Sequence, residues 1–214
     1  MTSGAYVAFA GIDGAGKSTQ AGFLAAYLAK RGWHSYCFEG KEDFVVETMR
    51  AIAHREGFAG PRAFFGNEGT DLAKAFDTLR DYTHMIAPLV ASGCIVIQPR
   101  SGYCRVALAA AMGSTNITQV EAVTHFGGEP DLTIWIDCSV DVALSRIEAR
   151  GTDHESPLVL TRFRDRLIAL SRRYEWHRVD GDAKHSVVRH AVRAIADEWL
   201  ERNGRASRAP TGVV

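Results

Sequence analysis

The sequence predicts an α/β fold in which one parallel sheet carries helices on both faces. Three observations lead there. Short apolar runs alternate with longer amphipathic ones along the chain, the pattern of repeated strand–helix units. The first apolar run passes through a glycine-rich loop directly into a helical pattern. Polar and small residues collect just past the ends of the apolar runs, where a parallel sheet presents its carboxyl edge to ligands. At 214 residues the chain is long enough for one such domain with a sizeable core.

Each element has its own signal. Residues 6–10, Tyr-Val-Ala-Phe-Ala, are apolar throughout, as in a strand buried on both faces. Residues 18–31 place apolar side chains at helical spacing and stop at Gly32. Further strands are expected at 35–38, 94–98, 132–137 and 176–179, which gives a five-stranded sheet. Helices are expected at 44–54, about 70–91, 103–112, 117–126, 140–149, 157–174 and 185–202. The segment 57–69, with its Gly-Pro and Gly-Asn pairs, reads as a loop. The last ten residues, 205–214, read as a disordered tail.

Composition narrows the function classes. Lysine plus arginine equals aspartate plus glutamate, so the net charge is zero. That argues against a broad nucleic-acid footprint and leaves room for a local basic pocket. Four cysteines lack C-x-x-C spacing, so buried free thiols are expected rather than a metal site. No apolar run approaches a membrane span, and no secretory leader is expected. A cytoplasmic setting fits these features.

The segment Gly11-Ile12-Asp13-Gly14-Ala15-Gly16-Lys17-Ser18-Thr19 carries the chemistry. It fits G-x-x-x-x-G-K-[ST], the phosphate-binding loop of the P-loop NTPase fold, with the strand before it and the helix after it that this loop requires. Glycines let backbone N–H groups curl around an anion, and the helix N-terminus adds partial positive charge. Lys17 is expected to reach the β- and γ-phosphates of ATP, and the Ser18 hydroxyl to ligate Mg²⁺. Residues 11–17, 39–41, 99–100 and 180–182 all follow strand ends and are expected to line one cleft. The N-K-x-D signature of guanine specificity is missing, and the chain is short for a larger ATPase. A small kinase with an arginine-bearing lid remains.

Beyond the loop, the sequence resembles the thymidylate kinase family over roughly residues 5 to 200. The stretch from Phe9 to Gln20 is similar to the family's F-E-G-x-D-G-[AS]-G-K-S-T-Q. Glu39 and Arg50 fall at the spacing of its segment after the second strand. Phe76 and Arg80 fit F-x-x-x-R, and Arg100 fits the arginine of Asp-Arg-Tyr. Pro130-Asp131-Leu132 through Arg146, Arg150 and Gly151 fits the fourth strand and lid entrance, and Asp180 the end of the fifth strand.

The resemblance implies a domain over residues 1–204 with a short lid at about 146–160. It further implies MgATP as donor, a small nucleotide as acceptor, and a homodimer. It assigns the acceptor monophosphate to Arg100, the acceptor base to Phe76 and Arg80, and the acceptor sugar hydroxyl to Asp13. Arg146 and Arg150 become lid cations beside the transferring phosphoryl or the adenine. Ordinary alternatives stand beside these roles: core packing for Phe76, a surface charge beside Asp81 for Arg80, and a solvated helix face for Arg146 and Arg150.

Departures from the family pattern are as informative. Its glutamate after the first strand is Ala10 here, and its Asp-Arg-Tyr reads Pro99-Arg100-Ser101. Both lost carboxylates belong near the expected Mg²⁺, with Gln98 as an uncharged substitute. Arg105 and Leu108 occupy positions that are small-polar and aromatic in the family. Arg105 either enters the acceptor pocket or points to solvent. The Gly-Gly-Thr turn reads Lys41-Glu42-Asp43. The lid is short, and Asp153, His154 and Glu155 lack metal-ligand spacing. Three functions stay open: phosphorylation of dTMP or a related pyrimidine nucleotide, phosphorylation of a modified nucleotide or other phosphorylated metabolite, and catalytically weak, regulatory nucleotide binding.

Overall fold

The structure, a computed structural model, describes residues 4–39, 44–151 and 155–204. The turn Lys41-Glu42-Asp43, the lid residues Asp153 and His154, and the tail 205–214 lie outside the described residues.

The expected sheet is present. Strands β1 (Ala5–Ala10), β2 (Ser35–Cys37), β3 (Ile95–Gln98), β4 (Leu132–Asp137) and β5 (His177–Asp180) pair in parallel in the order β2-β3-β1-β4-β5. The central strand β1 is buried at every position, as its unbroken apolar sequence requires for a strand covered on both faces. Register pairs Val7 with Ile97 on one side and with Leu132 on the other. The strand order reverses direction next to β1, so the loop after β1 opens into the crevice that a parallel sheet offers to ligands.

Helices cover both faces. α1 (Lys17–Lys30) follows β1 and turns Leu24 and Leu28 into a core that also holds Phe9, Ile97, Ile134 and Phe163. The far face packs Tyr6, Ala8 and Val96 against Ile86. α5 (Gly102–Ala111), α6 (Ile117–Phe126), α7 (Val140–Arg150), α8 (Pro157–Arg173) and α9 (His185–Arg202) lie within a residue or two of their expected bounds.

One expectation fails and another is refined. The segment 57–69 is not a loop throughout: after α2 (Phe44–Arg55), α3 (Pro61–Asp81) begins inside it and kinks at Gly66, where φ is 73°. The segment 70–91 is helical throughout, as expected, but not uniformly wound. It passes through a π-helical turn (Tyr82–Ile86) before α4 (Ala87–Ala91). Pro88 cannot donate a backbone hydrogen bond, and the helix widens just ahead of it. The cysteines are all free, with Cys104 and Cys138 buried but Cys37 and Cys94 only half-buried. Among the described residues no helix is long and apolar enough to cross a membrane.

Candidate active site

The phosphate loop is shaped by conformations that only glycine accepts easily. Gly14 has φ 81°, and a Cβ there would collide with the carbonyl of Ala143 on α7. Gly16 has φ 92° and caps α1 without a side chain. The loop therefore closes tightly against α7, and its N–H groups meet the N-terminal end of a helix of 14 residues.

Lys17 is buried at the base of the loop. Its Nζ donates to the Ile12 carbonyl at 2.7 Å and lies 3.8 Å from Asp13 Oδ1. Burial, reinforced by the nearby Arg100 cation, pushes the ammonium down to about 8. Arg100, just past β3, donates to Asp13 Oδ1. Burial pulls the Asp13 carboxyl upward, but Arg100 and Lys17 outweigh it and hold that carboxyl below its ordinary value. Lys17, Asp13 and Arg100 thus form one charged chain, although 87 residues separate Asp13 from Arg100.

A cleft of about 260 Å³ opens beside the loop. Gly14, Ala15, Gly16 and Thr19 form one wall, Arg146 and Arg150 of α7 another, and Gly181, Ala183, His185 and Val188 the third. Arg146 donates to the Gly181 carbonyl at 3.0 Å, which ties α7 to the β5–α9 loop. Ser18 and Thr19 are exposed at the mouth of α1, and Gly11 is buried beneath the loop. Asp180 does not line this cleft. Its carboxylate accepts from the Asp182 N–H at 3.0 Å and so shapes the turn leading to α9.

Sequence reasoning gave no role to Gln20, His185 or Val188. Gln20 is buried against the cleft, with Nε2 3.4 Å from His185 Nδ1 and no partner at Oε1 among the described residues. The sequence signal for His185 and Val188 was their place on the first turn after a strand end, three residues apart on one helix face.

The expected acceptor residues are more scattered. Arg80 pairs with Asp81 at 2.7 Å and lies 3.7 Å from Asp77, so it is an ion-paired side chain rather than only a surface charge beside Asp81. Phe76 is half exposed one turn before it on α3. Arg50 pairs with Glu47. It lines a separate hollow of about 390 Å³ with Val46, Gly60, Arg62 and Lys74, to which no phosphate-loop residue contributes. Arg105 is half-buried on α5 and engaged within the chain, and Glu39 is exposed after β2.

The donor set does not fit a metal ion held by the protein. Mg²⁺ usually binds one or two carboxylates together with substrate phosphates. Here β1 ends on buried Ala10, β3 is followed by buried Pro99, and Asp13 is occupied by two cations. Gln98 does not substitute. It is buried and accepts from the Tyr6 hydroxyl on the face away from the core of α1. Among the described residues no cluster of three or more acidic, histidine or cysteine side chains could hold a metal. Among the described residues of the loop, the Ser18 hydroxyl, with Thr19 beside it, remains as a neutral oxygen ligand for an ion that arrives on a nucleotide.

Comparison with known proteins agrees with this geometry. The sequence profile of the thymidylate kinase family matches residues 9–192. A probable thymidylate kinase of Pyrococcus horikoshii is 30% identical over 172 residues, covering 79% of this chain and 78% of that protein. One of Thermococcus gammatolerans is 30% identical over 156 residues, covering 71% and 74%. A thymidylate kinase of Prochlorococcus marinus is 27% identical over 208 residues, covering 89% and 92%.

Proposed function

This chain belongs to the thymidylate kinase family, and we propose that it transfers the γ-phosphoryl group of ATP to dTMP or a closely related pyrimidine nucleoside monophosphate. The observation that supports this best is the linked set Lys17–Asp13–Arg100 at the phosphate loop, beside a cleft whose far wall carries the two arginines of α7.

The loop N–H groups and the α1 terminus hold the donor phosphates, with Lys17 across the β- and γ-positions. Arg146 and Arg150 approach from the opposite wall and balance charge that spreads over the moving phosphoryl group. Arg100 exchanges Asp13 for the acceptor phosphate, to which it can bind bidentately. Asp13, released, becomes free to accept the acceptor's sugar hydroxyl. An acceptor phosphate oxygen attacks the γ-phosphorus, the bond to the β–γ bridging oxygen breaks, and ADP leaves. That oxygen is already ionised near neutral pH, so no general base is needed. Mg²⁺ carried on the nucleotide would meet the Ser18 hydroxyl and would supply further charge neutralisation there. Exposed Phe44, Phe58, Phe64 and Phe126 give the same reading a homodimer, which light scattering checks.

The test is coupled ADP release with MgATP against dTMP, dUMP, dCMP and purine monophosphates. Turnover fastest with dTMP is expected. A second reading, an acceptor with an extra anionic group, is favoured by the cation Arg105 where the family carries a small polar residue. Silence with dTMP but turnover with a more anionic nucleotide would select it.

A further inference from the structure

We propose that nucleotide binding by this chain is only weakly coupled to Mg²⁺, and that uncomplexed ATP binds at least as tightly as its magnesium complex. The inference rests on the donor-site reading above and adds to it which form of the donor the cleft prefers.

Three features of the cleft carry it. The strand ends flanking the phosphate loop, Ala10 and Pro99, are both buried and present no side-chain oxygen that could hold an ion or orient its waters. The acid within the loop, Asp13, is already paired with Arg100 and lies 3.8 Å from the Lys17 ammonium, so a divalent cation would have to compete with both. The remaining lining supplies Arg146 and Arg150 and, among the described residues, no carboxylate. Ser18 and Thr19 add only neutral hydroxyls.

Linkage turns this composition into a sign. If a site prefers the magnesium complex by some factor, the bound nucleotide must prefer Mg²⁺ over the free nucleotide's affinity by the same factor. That factor comes from protein groups that touch the ion or its waters, and among the described residues of the loop only hydroxyls remain. Charge acts in the opposite direction. Lys17, Arg100, Arg146 and Arg150 gather around the phosphate loop and the cleft beside it, and uncomplexed ATP brings more negative charge to them than its magnesium complex does.

Calorimetric titration of the full chain with ATP, once in excess EDTA and once in excess Mg²⁺, tests this without using turnover. Dissociation constants within about threefold, or tighter binding in EDTA, are expected. Binding more than about tenfold tighter in Mg²⁺ would overturn the proposal while leaving the donor site intact. No binding in either condition would instead remove the donor-site reading, and the inference with it. Pro99→Asp returns one carboxylate and should shift the ratio about tenfold toward the magnesium complex; an unchanged ratio in a folded variant counts against the role given to this position. Ser18→Ala covers a Pro99→Asp chain that fails to fold: whatever it does to affinity itself, the ratio of the EDTA to the Mg²⁺ value should change by less than about threefold, and a tenfold loss confined to Mg²⁺ would overturn the proposal.

Discussion

The two sides of the candidate active site are built on different principles. On the donor side the ligand-binding groups are backbone N–H groups fixed by Gly14 and Gly16, beside a cleft with two arginines on its far wall. On the acceptor side the cations are side chains already matched with acids of the same chain: Arg100 with Asp13, Arg80 with Asp81 and Asp77, Arg50 with Glu47. A donor nucleotide meets a preformed anion site. An acceptor must replace an internal carboxylate, so its binding is an exchange of partners. Only an acceptor that returns equivalent contacts gains affinity, and the exchange acts as a filter on substrates.

The donor side should fail completely at one position. Lys17→Ala removes the one cation buried inside the loop, and kcat should fall by about a thousandfold or more. Unchanged steady-state turnover would remove this cleft from the chemistry. The acceptor side should fail selectively. Arg100→Ala should lower kcat/KM for the acceptor by about a hundredfold while moving the ATP dissociation constant less than about threefold. Equal losses on both nucleotides would show that Arg100 serves the donor as well, and the contrast between the two sides would collapse.

Pairing on the acceptor side also supports the fold. Asp77 is buried and accepts from the Val45 and Val46 N–H groups at 3.1–3.2 Å, which caps the start of α2 from α3. Asp77→Ala leaves these donors unmatched and should cost about 2 kcal/mol, read as a lower denaturation midpoint. Arg80→Ala removes a partner 3.7 Å away and half exposed, and should cost less. If Arg80→Ala costs more, this arginine holds α2 and α3 together rather than waiting for a base.

The same contrast explains what the sequence made legible. The phosphate loop is contiguous and its signal is local: a strand, three glycines and a lysine at fixed spacing give both fold class and position in the sheet. The acceptor side is assembled from α2, α3 and the end of β3, and its pairings depend on tertiary placement. No local pattern links Arg100 to Asp13. The start of α3 was hidden for a related reason. Gly60, Gly66 and Gly69 read as a loop, yet Arg62 pairs with buried Asp71 at 2.5 Å and Asn67 donates to the Met112 carbonyl at 2.7 Å. These tertiary contacts stabilise a kinked helix against its local propensity. The π-helical turn before Pro88 leaves no periodic signature short enough to be seen within one turn. Gln98 looked available because its partner, Tyr6, is remote in sequence.

A smaller effect tests the donor side in the absence of any substitution. Burial and Arg100 bring Lys17 down to about 8 from 10.5, so the empty site begins to lose this proton just above neutral pH. Two signs follow. The unfolded chain keeps the proton up to its ordinary value, so between pH 8 and 10.5 the folded state binds fewer protons and this group's burial penalty is relieved as pH rises. Nucleotide phosphates act oppositely, because they stabilise the ammonium form. Above pH 8 ATP must therefore bring a proton back with it, and its dissociation constant should rise by up to about tenfold per pH unit until the pKa of the complex is reached. Calorimetry at pH 9 in two buffers of different ionisation enthalpy measures that proton directly. Uptake approaching one proton per ATP identifies Lys17 as charged only when occupied; no uptake would mean that the cation is fully formed before the nucleotide arrives, and that the donor side is even more preorganised than its geometry implies.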